Sequence, residues 1–314
     1  MIERLRRVTR PGFSGARRVL GLALLLAACG TAPGNGMTAL TGATVIDVVT
    51  GRSTPDAVVL VRDGHVVAVG GAGEVPVPRG ADVTSLNGRW IIPGLIDAHT
   101  HMQPWGFEVA LRYGVTAVRD LHDGIALADT LRAVAARSPA PHFFPAIAMV
   151  DGPPTTYPDA IPIADADSAD AVVGRLAQHR ATWIKGYTRL RPDILEALVT
   201  AARLRHLPVA VHLGLTDAIT AARLGVTSIE HLSGVPEAAG DSLALFAAHD
   251  SSFFAGWTAF ERSWVTADTG ALIVVARELA ARRTYLVPTL VLHETFSRLD
   301  DPATLKSPDL KSVP

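Results

Sequence analysis

The chain is poor in cysteine, in net charge and in long apolar runs. Its 314 residues include one cysteine, Cys29, so no intramolecular disulfide can form in any compartment. Lysine and arginine total 29 against 30 acidic residues, a balance that gives no electrostatic ground for nucleic acid or another polyanion as partner. The apolar run VLGLALLLAA at residues 19–28 is well short of the roughly 20 residues that a membrane-spanning helix needs. What remains is a composition, 48% hydrophobic, that can bury a sizeable core, at a length suited to one large domain with a smaller companion. Function must then reside in a local site.

The first residues carry the order of a bacterial secretory signal: MIERLRRVTRPGFSGARR with six arginines, the short apolar run, then LAAC. Leu26-Ala27-Ala28-Cys29 resembles a lipoprotein signal box, in which cleavage leaves Cys29 as the lipidated first residue. That resemblance implies a signal peptide and lipobox at 1–29, export, and a lipid anchor holding the protein to the membrane of the cell envelope. An ordinary cleaved signal with an incidental cysteine is the alternative, and it too takes the mature protein out of the cytoplasm. TAPGNG, inside a tether at 30–37, reads as a short flexible connection.

Next come valine-rich runs, ATVIDVVTG, AVVLVRDGHVVAVGG and DVTSLNGRWIIPG, broken by Gly, Asp and Asn. They predict short antiparallel strands in a small β domain of sandwich type at 38–90, with Asp63-Gly64 as a hairpin turn. From Ile91 onward the rhythm is strand then helix, repeated. Seven apolar strand candidates are IIPGLIDAH, VTAVRD, HFFPAIAMV, TWIKGY, LPVAVHLG, VTSIEHL and TYLVPTLVL. In PDILEALVTAARLRH, Pro192 suits a first helical turn and Ile194, Leu195, Leu198, Ala201, Ala202 and Leu204 recur at helical spacing. The expected fold is α/β, a TIM-type (β/α) barrel over 91–314 beside the small β domain, although an open doubly wound sheet would share this rhythm. The proline-rich stretch at 151–167 reads as a lid, and 251–269, with Trp257 and Trp264, reads as irregular.

Barrel enzymes build their sites at the C-terminal ends of the strands. There this chain offers His99 and His101 in GLIDAHTH, Lys185 in TWIKGY, His212 in VAVHLG and His231 in SIEHL. Residues i and i+2 of a strand share a face, so the first two rings can reach one point. Neutral imidazoles suit zinc and similar divalent ions, and a catalytic site keeps a position open for water. A lone strand histidine is more often a hydrogen-bonded core residue; it is the conjunction of four with a lysine that points to a metal site. Tyr187, two residues past Lys185, is a candidate for orienting substrate or stabilising an oxyanion. Arg189 could pair with a substrate carboxylate or sit on the surface, and His122 and His293 could touch substrate or be structural.

PGLIDAHTH followed by strand-end Lys185, His212 and His231 resembles the metal-dependent amidohydrolase superfamily. YGVTAVRD, TWIKGYTRL and LVPTLVL are most similar to its imidazolonepropionase-like and Xaa-Pro dipeptidase-like branch. The resemblance implies two zinc or similar divalent ions, one on His99 and His101 and a second on His212 and His231, with carboxylated Lys185 bridging them. It implies Lys185, His231 and Tyr187 as catalytic residues, a metal-activated hydroxide as nucleophile, and amide C–N bonds of dipeptides or cyclic amides as substrate. A homo-oligomer is compatible with it. A deaminase or lactone hydrolase would use nearly the same metal shell.

Members of that superfamily end the barrel with an eighth strand bearing a metal-binding aspartate. After the seventh candidate this chain offers Asp300 and Asp301 in a polar segment without an apolar run, and Asp309 beyond them, and none of the three is expected to serve. The expectation is a chain truncated from a longer enzyme. The alternative is a catalytically inactive lipoprotein that binds metal or a small ligand.

Overall fold

A computed structural model describes residues 36–313; the signal segment with Cys29 and most of the tether lie outside the described residues. The chain divides into two units, one ending at Pro93 and one beginning at Gly94.

In the first unit the valine-rich runs form β1 (Met37–Ile46), β2 (Ser53–Arg62), β3 (His65–Gly71), β4 (Asp82–Ser85) and β5 (Trp90–Ile91). Asp63 and Gly64, both at positive φ (50° and 76°), make the tight turn between β2 and β3, whose twist matches that of the flanking strands. Alternate residues Met37 and Ala39 of β1 pack with Val58 and Leu60 of β2 as a small core. Two expectations need correction. The described strands make one five-stranded sheet, ordered β3-β2-β1-β4 with β5 also on β1, and not two facing sheets. Nor is it wholly antiparallel, because β4 and β5 both run parallel to β1. Val66, Val67 and Val69 of β3 stay exposed, as they can where no second sheet faces them.

The second unit is mixed α/β. It opens with β6 (Leu95–Thr100), α1 (Gly106–Arg112), β7 (Val115–Asp120), α2 (Ile125–Ala135), β8 (His142–Pro145), β9 (Met149–Asp151), β10 (Ile161–Pro162) and α3 (Ala169–Gln178). It continues with β11 (Ile184–Gly186), α4 (Pro192–Leu204), β12 (Val209–Val211), α5 (Ala218–Leu224), β13 (Ser228–Glu230), α6 (Val235–Ala239), α7 (Ser242–Ser251) and α8 (Phe253–Ser263). Then follow α9 (Thr269–Arg282), β14 (Tyr285–Val287), α10 (Leu290–Phe296) and α11 (Pro302–Leu305).

All strand pairs in this unit are parallel. β6-β7-β8 form one sheet and β10-β9-β11-β12-β13-β14 another. The two join where β8 gives way to β9: Ile147 at φ 77° breaks the run, and the Thr182 N–H donates to the Pro145 carbonyl at 2.8 Å. β11, β12 and β13 are buried along their whole length, which is how strands covered on both faces read. α4 begins with Pro192 in its first turn and buries Ile194, Leu195, Leu198, Val199, Ala201 and Ala202. That stripe meets Ile184, Val211 and Ile229 from the strands in the main core.

Two further expectations fail locally. Residues 251–269 are mostly helical, since the Ser252 hydroxyl caps α8 by accepting from the Ala255 N–H. The TYLVPTLVL run is strand only to Val287; Thr289, at φ 49°, turns the chain into α10. Among the described residues no helix is long and apolar enough to cross a membrane.

Candidate active site

The parallel strands deliver their polar termini to one place. His99 and His101 project from the end of β6, and Lys185, His212 and His231 from the ends of β11, β12 and β13. The His99 and His231 ring centroids lie 4.4 Å apart, His212 and His231 4.8 Å, and His99 and His101 5.4 Å. Tyr187 stands 4.9 Å from the His212 ring, and the Lys185 ammonium lies 5.8 Å from the Tyr187 ring centroid.

The backbone that aims His231 is unusual. His231 and Leu232 both take φ 60°, a region that non-glycine residues occupy only when their surroundings over-determine it. They do so here. The His231 N–H donates to the Val287 carbonyl at 2.9 Å, and the Ser233 hydroxyl donates to the Glu230 carbonyl while accepting from the Leu213 N–H, both at 2.8 Å.

Hydrogen bonds fix which ring nitrogens are free. His99 Nδ1 lies 2.6 Å from Glu230 Oε2, so Nδ1–H donates and Nε2 keeps its lone pair. The Thr289 hydroxyl gives its proton to the Pro288 carbonyl at 2.8 Å and so must accept from His231 Nδ1–H at 2.6 Å, which frees that ring's Nε2 in the same way. His101 Nδ1 lies 3.4 Å from the His122 carbonyl. His212 Nδ1 and Lys185 Nζ are buried without a hydrogen-bond partner, a costly condition unless something else engages them.

Burial holds these groups towards their neutral forms. It pushes His99 down to about 4 against the opposing hydrogen bond to Glu230, and it lowers His101, His212 and His231 as well, with Lys185 adding to the effect in each. Burial also brings Lys185 down to about 8, partly countered by Glu230. Tyr187 is raised by burial and by Tyr157, so its hydroxyl stays protonated.

One acid organises the floor of the site. Glu230 is fully buried and accepts from Arg119 Nη2 and Ser228 Oγ, both at 2.8 Å, besides His99. Burial alone would raise its pKa, but the His99 hydrogen bond and the charges of Lys185 and Arg119 prevail and keep it ionised. Arg119 also donates to the Ala98 carbonyl and stacks on Trp183 at 4.4 Å. Glu230 and Arg119 escaped the sequence reading, although an acid in SIEHL and a base in VTAVRD, each inside an apolar strand, were the available signal.

An inner cavity of about 250 Å³ holds His99, His101, His122, Lys185, Tyr157, Tyr187 and His231. It adjoins an outer one of about 1040 Å³ whose far wall is Phe253, Phe254 and Trp257 with α10. The loop after β9 brings Tyr157 over the site. Asp151 anchors it by accepting from the Gly152, Thr156 and Arg189 N–H groups at 2.8–2.9 Å, and Asp159 pairs with His122 at 2.9 Å. Arg189 points elsewhere: its guanidinium meets Asp250 at 3.2 Å and lines neither cavity. His293 also lines neither, but stacks on Trp257 at 5.7 Å and bonds Glu261.

The donor chemistry fits a divalent metal: neutral imidazoles with free Nε2 atoms, and a buried amine without a hydrogen-bond partner. The geometry is less finished. Among the described residues no three His, Cys, Asp or Glu side chains already stand in a metal-holding arrangement. Asp301 serves as a helix cap, accepting from the Ala303 N–H.

Comparison with known proteins gives short sequence matches and a broad structural one. No family profile matches the chain. An imidazolonepropionase of Methylobacterium nodulans is 35% identical over 88 residues, 26% of this chain and 22% of the relative. An adenine deaminase of Paracoccus denitrificans is 34% identical over 114 residues, 34% of this chain and 18% of the relative. The chain thus spans about a fifth of the length of these curated relatives. Among solved structures, a Xaa-Pro dipeptidase with methionine bound in its active site superposes with a TM-score of 0.62 at 18% identity, covering 85% of this chain and 70% of that one. At that identity the structural likeness speaks for the fold, and the sequence likeness is confined to short stretches.

Proposed function

We propose that this chain carries the site of a metal-dependent hydrolase acting on amide C–N bonds, built on a (β/α)8-type barrel. The observation that carries the reading is the meeting of four neutral imidazoles, two with an assigned free Nε2, around a buried lysine that has no hydrogen-bond partner. His99, His101, His212 and His231 would hold one or two zinc or similar ions. Lys185 would join them as a carbamate, its neutral amine forming a bond to the carbon of carbon dioxide and releasing one proton. A bound ion supplies Lewis acidity, polarising a carbonyl and bringing the pKa of water towards about 7.

This chain's own residues do the rest. Glu230 and Thr289 hold the His99 and His231 rings in the tautomer that presents Nε2. The Tyr187 hydroxyl, kept protonated, faces the cavity as a donor for a carbonyl oxygen that gains negative charge. Tyr157 and the loop that carries it screen the inner cavity from water.

The test is metal content by plasma mass spectrometry beside an amide-hydrolysis screen, on wild type and on His99→Ala/His101→Ala. Close to two equivalents of zinc with turnover in the wild type, both lost in the double variant, is the expected result. Unchanged metal content in the double variant overturns the site. The unclosed donor geometry favours a second reading, a metal or small-molecule binder without turnover, for which zinc retention with no hydrolysis is the signature.

We also propose export and a lipid anchor on Cys29. Cys29→Ala should move the protein from the membrane to the soluble fraction, and full retention on the membrane refutes the anchor.

A further inference from the structure

We infer that the substrate of this site is an amide bearing a bulky, uncharged apolar or aromatic group, and not a free dipeptide with its carboxylate beside the scissile bond. The inference rests on the hydrolase reading and narrows its substrate class.

The outer cavity has two unlike walls that touch. On one side stand the imidazoles; on the other, α8 presents Phe253 and Trp257. Trp257 lies 5.7 Å from the His212 ring and 6.0 Å from that of His231, and Phe253 lies 6.0 Å from both His212 and Trp257. Any group attached to a carbonyl held at the imidazoles therefore lands on these aromatic faces at once. Phe254, Leu290 and Phe296 extend the same wall outward and are 79%, 66% and 51% exposed, so an apolar ligand would remove from water surface that is now wetted. At about 1040 Å³ the space matches the upper end of pockets for drug-sized ligands.

Charge points the same way. Among the described residues no lysine or arginine lines the outer cavity, and the one carboxylate there is Asp97. Lys185 lines only the inner cavity, and Arg189 is engaged by Asp250. Apart from an ion held at the imidazoles, a substrate carboxylate lying against the aromatic wall would thus lose its water without gaining a side-chain cation and would share the cavity with Asp97, whereas a neutral aromatic group meets neither penalty. An ammonium group, which Asp97 and the aromatic faces could attract, is the competing chemistry that the test must include.

Four amides separate these cases: N-phenylacetylpyrrolidine, N-phenylacetylproline, N-acetylpyrrolidine and a 4-(aminomethyl)phenylacetyl pyrrolidide. Binding by calorimetry and hydrolysis are measured on the zinc-loaded full chain in detergent. Burying one phenyl ring predicts a preference of roughly 10- to 100-fold for the phenylacetyl over the acetyl compound, and the neutral amide should exceed its proline counterpart by at least about tenfold. Trp257→Ala should raise KM for the phenylacetyl amide about tenfold with little change in kcat, and Trp257→Phe should restore most of it. If none of the four is hydrolysed but the neutral aromatic compound still binds most tightly, the hydrolase reading falls and the apolar specificity stands. If the carboxylate or the ammonium compound binds as well or better, or if no aromatic compound binds, the inference is overturned whatever the hydrolysis shows.

Discussion

Replacing Glu230 by glutamine should damage stability and metal binding together, for reasons that can be followed atom by atom. Glu230 Oε1 accepts from Arg119 Nη2 and Ser228 Oγ, and Oε2 accepts from His99 Nδ1. Glutamine keeps one acceptor and turns the other into an NH2 group, so a donor must face a donor on one side. If the NH2 faces Arg119, Nη2 of a guanidinium only 6% exposed loses its acceptor, and the guanidinium loses its counter-charge. Breaking a buried ion pair from one side costs about 3–5 kcal/mol. Because Arg119 retains the Ala98 carbonyl, Ser228 and Trp183, the lower end of that range, about 3 kcal/mol, is the expectation.

If the NH2 instead faces His99, the ring must shift its proton from Nδ1 to Nε2, which closes the nitrogen proposed to hold a metal. Loss of such an orienting partner lowers metal affinity by about 10- to 100-fold. Urea unfolding followed by tryptophan fluorescence, and zinc affinity by competition with a chromophoric chelator, read the two effects separately. The thermal midpoint should fall by about 6–12 °C. Stability within about 0.5 kcal/mol of wild type, the range of an ordinary surface change, with unaltered zinc affinity would refute the reasoning.

Two other substitutions probe the same unit. Burial and then the neighbouring Asp120 push Asp123 up to about 9, so the folded chain holds a proton that the unfolded chain releases above about pH 4, and stability drains away as pH rises from about 4 to 9. Asp123→Asn should therefore match wild type near pH 4 and melt higher near pH 8; parallel melting curves at the two pH values would refute the raised carboxyl. Leu198→Ala empties a fully buried position on α4, packed over Gly186 of β11, and should cost about 3 kcal/mol in urea unfolding; a loss below about 1 kcal/mol would mean that the core collapses around the gap.

The strands and α4 were legible because local chemistry and tertiary burial agree there. Short β-rich runs bounded by Gly, Pro and Asp are strands in either reading, and Pro192 followed by a stripe at helical spacing is a helix wherever it docks. α8 was not legible, since FFAGWTAFERS mixes glycine with aromatics that favour strands. Its helix is secured by the Ser252 cap and by packing, for a Cβ on Gly256 would come within 2.2 Å of His249 Nδ1. The TYLVPTLVL run misled in the opposite sense, because an apolar stretch has no period that distinguishes strand from helix, and only the left-handed Thr289 divides it. In the candidate site the imidazoles and Lys185 could be read from strand ends. The partners that orient them could not, because His99 and Glu230 are 131 residues apart and nothing local pairs them.

That long-range pairing bears on how the second unit holds its site in register. β6 and β7 belong to the three-stranded sheet and β13 to the six-stranded one, and among the described strands β6 and β14 do not pair. Backbone bonds join the sheets at the β8–β9 junction, while across the interior the connection is made by His99 and Arg119 reaching Glu230. One carboxylate thus fixes the distance between the histidines of β6 and those of β12 and β13, which is the distance a bound ion would have to span. If so, zinc should stabilise the wild type by linkage and do so less in Arg119→Met, a residue that touches none of the imidazoles through a hydrogen bond. Equal stabilisation of both by zinc would mean that the histidines are positioned by their own strands alone.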